Sequence, residues 1–147
     1  MSVSLVDYAA SNSSRPAVGE ITRLGKNLRV LIADDDPRIL VTVATFLAKA
    51  GFAVRKAADG EEALRAIADD PEIRLLVTDF SMPEMSGAAL ISEAALVRPH
   101  LRALLMTGYP DDNVRARAMK AGAVCFLNKP FSEDHFIECI KKALKAA

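Results

Sequence analysis

The chain has 147 residues, of which 51% are hydrophobic, so its length favours one domain with a core of ordinary size. Nineteen basic and nineteen acidic residues cancel, which argues against general affinity for nucleic acid or for an anionic membrane. The first residues lack the pattern of a signal peptide, and no apolar run reaches the ~18 residues of a membrane span. A cytoplasmic protein is therefore expected.

The two cysteines, Cys125 and Cys139, have neither metal-ligand spacing nor the density of a disulfide framework. This usage fits a reducing cytoplasm and predicts buried, inert thiols. Reactive cysteines usually have a partner histidine or a site that stabilises the thiolate, so cysteine chemistry is not expected here.

Residues 1–27 differ from the rest of the chain in composition and in pattern. They are rich in serine and small polar residues, show weak periodicity and contain Pro16, Gly19 and Gly25. Such a segment predicts a flexible N-terminal tail, which leaves residues 28–147 for the folded domain.

Apolar runs and helical periodicities alternate from residue 28 onward. Short, mostly apolar runs predict five strands, at residues 28–33, 52–57, 73–79, 101–106 and 124–127. Apolar residues at helical spacing predict five helices, which begin at Pro37, after Asp59, near Gly87, at residue 111 and after Ser132. This alternation predicts an α/β fold with right-handed crossovers and an open parallel sheet covered by helices on both faces.

Polar side chains stand at or just past the ends of four predicted strands. They are Asp34, Asp35 and Asp36 after the first strand, Asp79 after the third, Thr107 after the fourth and Lys129 after the fifth. Each alone has an ordinary interpretation as a helix cap, a turn or a surface corner. In open parallel sheets, however, ligands bind beyond the carboxyl ends of the strands, so their occurrence at one edge indicates a shared site.

The chemistry of this set favours phosphoryl transfer. Clustered carboxylates raise one another's pKa, so a positive group is expected among them. Mg²⁺ suits such oxygen ligands, Lys129 supplies a second positive charge and Thr107 a hydroxyl donor. A carboxylate nucleophile with a metal, an ammonium and a hydrogen-bond donor is what a phosphoryl group requires.

The motifs VLIADDDPRI, LLVTDFSMPEMSG, LLMTGY and AGAVCFLNKPF together resemble the receiver domains of two-component response regulators. The similarity covers residues 28–145, and the motifs stand in the order and at the spacing of that family. It implies a flavodoxin-like (βα)5 fold, a doubly wound parallel sheet with strand order 2-1-3-4-5, over a receiver domain at residues 28–147. It also implies that Asp79 is the phosphoacceptor.

The resemblance divides the acidic residues into different roles. It implies that Asp35 contacts Mg²⁺ directly, that Asp34 acts mainly through water and that Asp79 is a further ligand. The backbone carbonyl of Ser81 would complete the protein ligands. Asp36 is expected to cap the first helix and to lie outside the metal shell.

The remaining motifs imply a switch. Thr107 resembles the hydroxyl that moves to bind the phosphoryl group, and Lys129 resembles the lysine that pairs with it, with a cis peptide bond expected before Pro130. Phe126 matches the aromatic switch position, where a ring can turn into the space that Thr107 vacates. Without a hydroxyl its switching would be purely steric, and the alternative is that Phe126 is simply a core aromatic residue.

The function implied by the resemblance is a phosphorylation-controlled signalling switch rather than a dedicated enzyme. A sensor histidine kinase or a histidine phosphotransfer protein would donate the phosphoryl group to Asp79, with Mg²⁺ as cofactor, and a downstream protein would be the target. Direct contact with nucleic acid or membrane is not expected, whereas a homodimer through the fourth helix, fifth strand and fifth helix stays open. Because the chain ends at Ala147, just after the last predicted helix, a stand-alone receiver is expected.

Two alternatives stay open. A small haloacid-dehalogenase-like phosphohydrolase would use Asp34 as nucleophile and Asp36 as acid, with Thr107 and Lys129 in support. It would leave Asp79 unexplained, and the acidic motif expected after the lysine strand has no convincing match. The chain could also be a receiver fragment of a hybrid histidine kinase.

Overall fold

The computed structural model describes residues 28–109 and 111–145, so the predicted flexible tail lies outside the described residues. The strands of the described part are β1 (Arg29–Ala33), β2 (Ala53–Ala57), β3 (Ile73–Asp79), β4 (Arg102–Thr107) and β5 (Cys125–Asn128). The helices are α1 (Pro37–Lys49), α2 (Gly60–Asp69), α3 (Gly87–Val97), α4 (Asp112–Ala121) and α5 (Glu133–Lys145). None of these helices is both long enough and apolar enough to cross a membrane.

The strands form one parallel sheet in the order β2-β1-β3-β4-β5, which confirms the predicted topology. Side chains alternate between two cores, because successive residues of a strand point to opposite faces. In β1, Val30 and Ile32 join the core under α1 and α5, whereas Leu31 and Ala33 join the core under α2, α3 and α4. Burial on both faces explains why the central strands are apolar without alternation.

Short polar side chains cap the helices where the sequence predicted them. Asp36 caps α1, which begins with Pro37, and the Asp59 carboxylate accepts the N–H of Glu62 at 2.8 Å. The reciprocal contact of this capping box is displaced by one residue, because Glu62 accepts the N–H of Ala58 instead of that of Asp59. Ser132 caps α5 by accepting the N–H of His135 at 3.0 Å.

Two strands begin and end one residue later than predicted. The N–H of Leu101 donates to the carbonyl of Arg98 at 3.0 Å, so Leu101 belongs to the turn after α3 and β4 begins at the next residue. At the other end Thr107 pairs with Asn128, which extends both β4 and β5. Turn hydrogen bonds and strand pairing thus set these bounds, and hydropathy alone does not report them.

Asp70, at the C-terminus of α2, forms ion pairs with arginines of two neighbouring strands, β1 and β2. Its buried carboxylate accepts the N–H of Glu72 at 3.0 Å and pairs with Arg29 and, at 3.6 Å, with Arg55. Burial opposes ionisation, but the hydrogen bonds from Arg29 and from the Glu72 N–H outweigh it and lower the pKa of Asp70.

Replacing Asp70 by asparagine is expected to lower the free energy of unfolding at neutral pH by about 1 kcal/mol. The effect is small for an ion pair because the side chains of Arg29 and Arg55 are 38% and 43% exposed and solvent screens them. Since the pKa is lower in the folded state, this stabilisation is present above the unfolded pKa and is lost as the pH falls through the folded pKa. In urea unfolding, the difference in unfolding free energy between the wild-type protein and Asp70→Asn should therefore shrink below about pH 4. A difference that stays unchanged in acid would contradict a stabilising role for the ionised Asp70 carboxylate.

Candidate functional site

Parallel pairing continues just past the strand ends and fixes the backbone of the predicted site residues. The N–H of Asp34 donates to the carbonyl of Ala57 at 3.1 Å, and the N–H of Lys129 donates to the carbonyl of Thr107 at 2.7 Å. Asp79 is the last residue of β3 and Thr107 the last of β4. The carboxyl edge of the sheet therefore brings together the residues that the sequence placed at separate strand ends.

Three of the predicted acids converge. Carboxylate oxygens of Asp34, Asp35 and Asp79 lie within 4.8 Å of one another. Asp34 and Asp79 are 1% and 6% exposed, whereas Asp35 is exposed to solvent. Two of the three carboxylates have thus lost most of their contact with water.

Asp36 does not join this cluster. One of its carboxylate oxygens accepts the backbone N–H of Arg38 at 2.9 Å, and the other pairs with the guanidinium of the same residue at 3.2 Å. The side-chain hydrogen bond from Arg38, followed by the backbone one, lowers the pKa of Asp36. The prediction that Asp36 caps the first helix is confirmed.

Lys129 bridges the two buried acids. Its ammonium nitrogen lies 2.8 Å from Asp79 Oδ1 and 3.0 Å from Asp34 Oδ2. The peptide bond from Lys129 to Pro130 is cis, as predicted. The second oxygen of Asp34 accepts the N–H of Asp36 at 2.9 Å, so both oxygens of Asp34 have protein donors.

The charges of the site are only partly balanced. Burial raises the pKa of Asp79, the charges of Asp34 and Asp35 act in the same direction, and the hydrogen bond from Lys129 opposes them. Burial also disfavours the ammonium, but its hydrogen bonds to Asp79 and Asp34 outweigh this and raise the pKa of Lys129. One ammonium thus faces three acids, and two negative charges are left when all of them are ionised.

A hard divalent cation fits this donor set. Mg²⁺ prefers oxygen ligands from one or two carboxylates and retains several waters, and its two positive charges match the imbalance. Within the described residues, the Asp35 carboxylate has no hydrogen-bond or ion-pair partner, so its oxygens are available to a cation. Ser81 follows Asp79 by two residues in an exposed loop, and its carbonyl as a ligand stays a prediction.

The predicted switch residues lie on neighbouring strands, Thr107 at the end of β4 and Phe126 within β5. Thr107 is buried, and its hydroxyl accepts the N–H of Tyr109 at 3.0 Å. Phe126 is half-buried between the core under α4 and the solvent, and the guanidinium of Arg115 lies 4.8 Å from the centroid of its ring. A cation at that distance is attracted to the face of the ring, so Phe126 is held in place from α4.

Gly87 was predicted only as the approximate start of a helix, but it lies against the predicted phosphoacceptor. A Cβ atom at this position would lie 2.1 Å from the carbonyl oxygen of Asp79, and the Gly87 N–H donates to the carbonyl of Phe80 at 2.8 Å. The start of α3 therefore packs directly on the backbone of the predicted phosphoacceptor. The only signal in the sequence is a glycine after the loop that follows β3, which by itself is an ordinary turn residue.

Comparison with protein families gives a match over most of the described residues. A family model described as the response regulator receiver domain matches residues 30–141. That range begins within β1 and ends within α5, so it includes most of β1, the other four strands and every residue of the predicted site.

Individual relatives agree with this match. Over 114 residues the chain is 39% identical to the transcriptional regulatory protein FixJ of Rhizobium meliloti (strain 1021). This match covers 78% of the chain and 55% of FixJ. Over 141 residues the chain is 30% identical to the sensor kinase CckA of Brucella abortus (strain 2308), covering 95% of this chain and 15% of CckA. The chain thus spans only part of the length of these relatives.

A solved structure with a modified aspartate is also similar. It is a response regulator protein from Burkholderia pseudomallei with a phosphorylated aspartic acid, a calcium ion and citrate. The TM-score is 0.71 at 30% sequence identity, and the match covers 81% of this chain and 67% of that one.

Proposed function

Because this chain belongs to the response regulator receiver domain family, we propose that it accepts a phosphoryl group on Asp79 and thereby changes its binding to a downstream protein. Receiver domains act as signalling switches rather than dedicated enzymes, and they interact with sensor kinases and downstream effectors. The observation that carries the proposal is the ammonium of Lys129, which bridges Asp79 and Asp34 beside an unpaired Asp35.

Asp79 is the nucleophile in this proposal. A carboxylate oxygen attacks the phosphorus of a phosphohistidine on the donor, and the bond from phosphorus to the histidine nitrogen breaks. Lys129 already donates to Asp79 Oδ1, so its ammonium is placed to pair with the transferred phosphoryl group. A sensor histidine kinase or a histidine phosphotransfer protein is the proposed donor, and the cytoplasm the proposed location.

Receiver domains typically bind Mg²⁺ at an acidic pocket, and we propose that Asp34, Asp35, Asp79 and the carbonyl of Ser81 hold it here. When bound, Mg²⁺ supplies positive charge that offsets the charge on the phosphoryl oxygens. Asp35 is the direct carboxylate ligand, whereas Asp34 acts mainly through water because protein donors occupy both of its oxygens. The similar structure from Burkholderia pseudomallei contains a phosphorylated aspartic acid and a calcium ion, which supports an aspartate as phosphoacceptor and the use of a divalent cation.

The proposed output begins at Thr107 and Phe126. The Thr107 hydroxyl accepts the N–H of Tyr109 through its oxygen, so its own O–H can donate to a phosphoryl oxygen. Inward rotation of Phe126 would remove its ring from the guanidinium of Arg115 and change the surface of α4, β5 and α5. A downstream protein, or a second copy of the chain, would read that surface.

The geometry does not favour the phosphohydrolase alternative. That mechanism requires Asp36 as an acid in the site, but the Asp36 carboxylate is engaged with Arg38 and lies outside the cluster. It also leaves Asp79, which contacts Lys129 directly, without a role. A receiver within a hybrid kinase, which the similarity to CckA favours, would use the same chemistry at Asp79.

The test is phosphorylation by a small phosphodonor in the presence of Mg²⁺. We expect a hydroxylamine-sensitive acyl phosphate on Asp79 that is lost to background in Asp79→Asn, because the amide is not a nucleophile. Asp36→Asn is the matched control and should keep the label, since Asp36 lies outside the cluster. A label that survives in Asp79→Asn or maps to Asp34 would overturn the proposal, and so would a protein that no donor or cognate kinase can label.

A further inference from the structure

A cavity at the amino end of the sheet is rich in positive charge. Its volume is about 700 Å³, and Arg74, Arg98, His100 and Arg102 line it. None of the described residues that line it is acidic. Asp79 ends β3, whereas this cavity lies where β3 begins, so the two sites are at opposite ends of the strand.

Arg102 begins β4 on the face of the sheet that α5 covers. Along this strand it alternates to the same side as Leu104 and Met106, which belong to the core under α1 and α5. Leu144 lies in the last turn of α5 and packs against the same core. Arg102 and Leu144 therefore line the cavity from the sheet and from the helix.

Arg74 is an extra residue in the ladder between β1 and β3. The register passes from Ile73 directly to Leu75, so Arg74 has no partner on β1. A bulge of this kind redirects a side chain, and bulges are common beside functional sites. On the other side of β3, Leu75 pairs with Arg102, so the two arginines stand on neighbouring strands.

The positive charges of the cavity are not neutralised within the described part of the chain. The guanidinium groups of Arg74 and Arg102 have no hydrogen-bond or ion-pair partner there. Arg98 donates to two backbone carbonyls at 2.8 and 3.0 Å, which are neutral acceptors, so its charge is not offset. Asp70 supplies one of these carbonyls, but its carboxylate pairs with arginines of β1 and β2.

We propose that this cavity binds a small organic phosphate, with its phosphate groups on Arg74 and Arg102 and its apolar part against Leu28 and Leu144. Guanidinium groups form paired hydrogen bonds with phosphate oxygens, and those of Arg74 and Arg102 are free to do so within the described residues. The volume is in the range of small-molecule sites, which combine apolar walls with a few polar groups. A nucleoside phosphate has both parts. The proposal does not depend on phosphorylation of Asp79.

Nucleic acid is a weaker interpretation of the same charge. A protein that binds the phosphate backbone carries basic residues in a patch or stripe along one face and is often basic as a whole. The acidic and basic residues of this chain are equal in number. Its unpaired arginines converge on one cavity with apolar walls, which fits a small molecule better than a long polyanion.

The test is calorimetric titration of the full chain with ATP and, separately, with tripolyphosphate at low ionic strength. The buffer is free of metal ions, so that Mg²⁺ at the acidic cluster cannot bridge the ligand to the protein. We expect ATP to bind at least ~10-fold more tightly, because both probes carry a triphosphate and only ATP can contact the apolar walls. Equal affinity would overturn the assignment of an organic ligand, and failure of both probes to bind would overturn the site.

Substitution of single arginines tests the phosphate contacts. Arg74→Gln and Arg102→Gln should each weaken ATP binding by about 10-fold and leave folding intact. Arg98→Gln is unsuitable, because it would take a donor from two backbone carbonyls. Arg65→Gln is the matched control, since it removes the same charge from an exposed ion pair with Glu61 on α2. It should change the affinity by less than about twofold, and a loss equal to that of Arg74→Gln would overturn the proposal.

Backbone amide resonances locate the bound ligand. ATP should shift the amides of Arg74, Arg102 and Leu144 and leave those of Asp35 and Asp79 unchanged. Leu144→Ala should weaken ATP binding by about fivefold and leave tripolyphosphate binding unchanged, since only the apolar contact is reduced. Circular dichroism establishes that this variant is folded, and the arginine variants decide even where it is not. Shifts confined to the carboxyl edge of the sheet would overturn the proposal.

Discussion

Asp35→Ala is expected to weaken Mg²⁺ binding by on the order of 100-fold, whereas Asp36→Ala should leave it within about twofold. The two residues are neighbours in sequence, carry the same charge and stand at the same strand end. They differ in what their carboxylates contact. Asp35 joins the cluster and has no partner among the described residues, but Asp36 is bound to Arg38.

The magnitude follows from the loss of a direct ligand. Mg²⁺ binds through one or two carboxylates, so removing one of them removes both a bond and a charge from a small coordination shell. The buried Asp34 and Asp79 share the ammonium of Lys129, which reduces what they offer a cation. Asp36 contributes only a solvent-screened charge at greater distance, which is worth little.

The measurement is calorimetric titration of each variant with Mg²⁺ at neutral pH. Asp36→Ala loses a helix cap, so thermal unfolding must first establish that this variant is folded at the titration temperature. Asp35→Ala has no such cost, because Asp35 has no partner within the described residues. An equal loss of Mg²⁺ affinity in the two variants would mean that the assignment of Asp35 as metal ligand and of Asp36 as helix cap outside the site is wrong.

The placement of Asp34, Asp79, Thr107 and Lys129 could be predicted because it depends only on strand order and direction. A parallel sheet brings its carboxyl ends to one edge, so a residue at a strand end is located without knowledge of its side chain. A second local rule separated Asp36 from its neighbours. Pro37 marks the first turn of a helix, so the residue before it is expected to be the helix cap.

Contacts between elements far apart in sequence could not be predicted in this way. The packing of Cys125 and Cys139 in the same core depends on which face of β5 meets α5, and a shift of one residue in the strand would turn Cys125 to the opposite face. Cys125 is half-buried, whereas Cys139 is only 7% exposed, so the expectation that both thiols are buried is wrong for Cys125. The position of Arg115 over Phe126 depends likewise on how α4 packs beside β5. Hydrophobic patterns give the face of an element but not the side chain that it meets.

Gly87→Ala is expected to lower the free energy of unfolding by about 3 kcal/mol and to reduce phosphorylation of Asp79. The added Cβ would lie 2.1 Å from the Asp79 carbonyl oxygen and 2.9 Å from its carbonyl carbon, and both atoms belong to the backbone of a buried strand. Neither can move as a side chain would, so the start of α3 must shift away from β3. The better helix propensity of alanine, worth less than about 1 kcal/mol, does not offset this.

Two other glycines provide matched controls for the same added methyl group. At Gly60 the new Cβ would lie 2.7 Å from the sulfur of Met85, whose flexible side chain can move aside. Gly60→Ala is therefore expected to lower the free energy of unfolding by about 1 kcal/mol. At Gly108 nothing lies within 4 Å of the new atom, and the change should stay within about 0.5 kcal/mol.

Urea unfolding measures the free energy of unfolding of the three variants. The loss should be smallest for Gly108→Ala, larger for Gly60→Ala and largest for Gly87→Ala. The steric argument predicts that only Gly87→Ala also slows labelling of Asp79 under conditions where all three proteins are folded, because only its clash lies on the phosphoacceptor itself. A Gly87→Ala protein as stable as Gly108→Ala would show that α3 can withdraw from β3 without cost. In that case close packing at Gly87 does not hold Asp79 in place, and Lys129 and the sheet must do so alone.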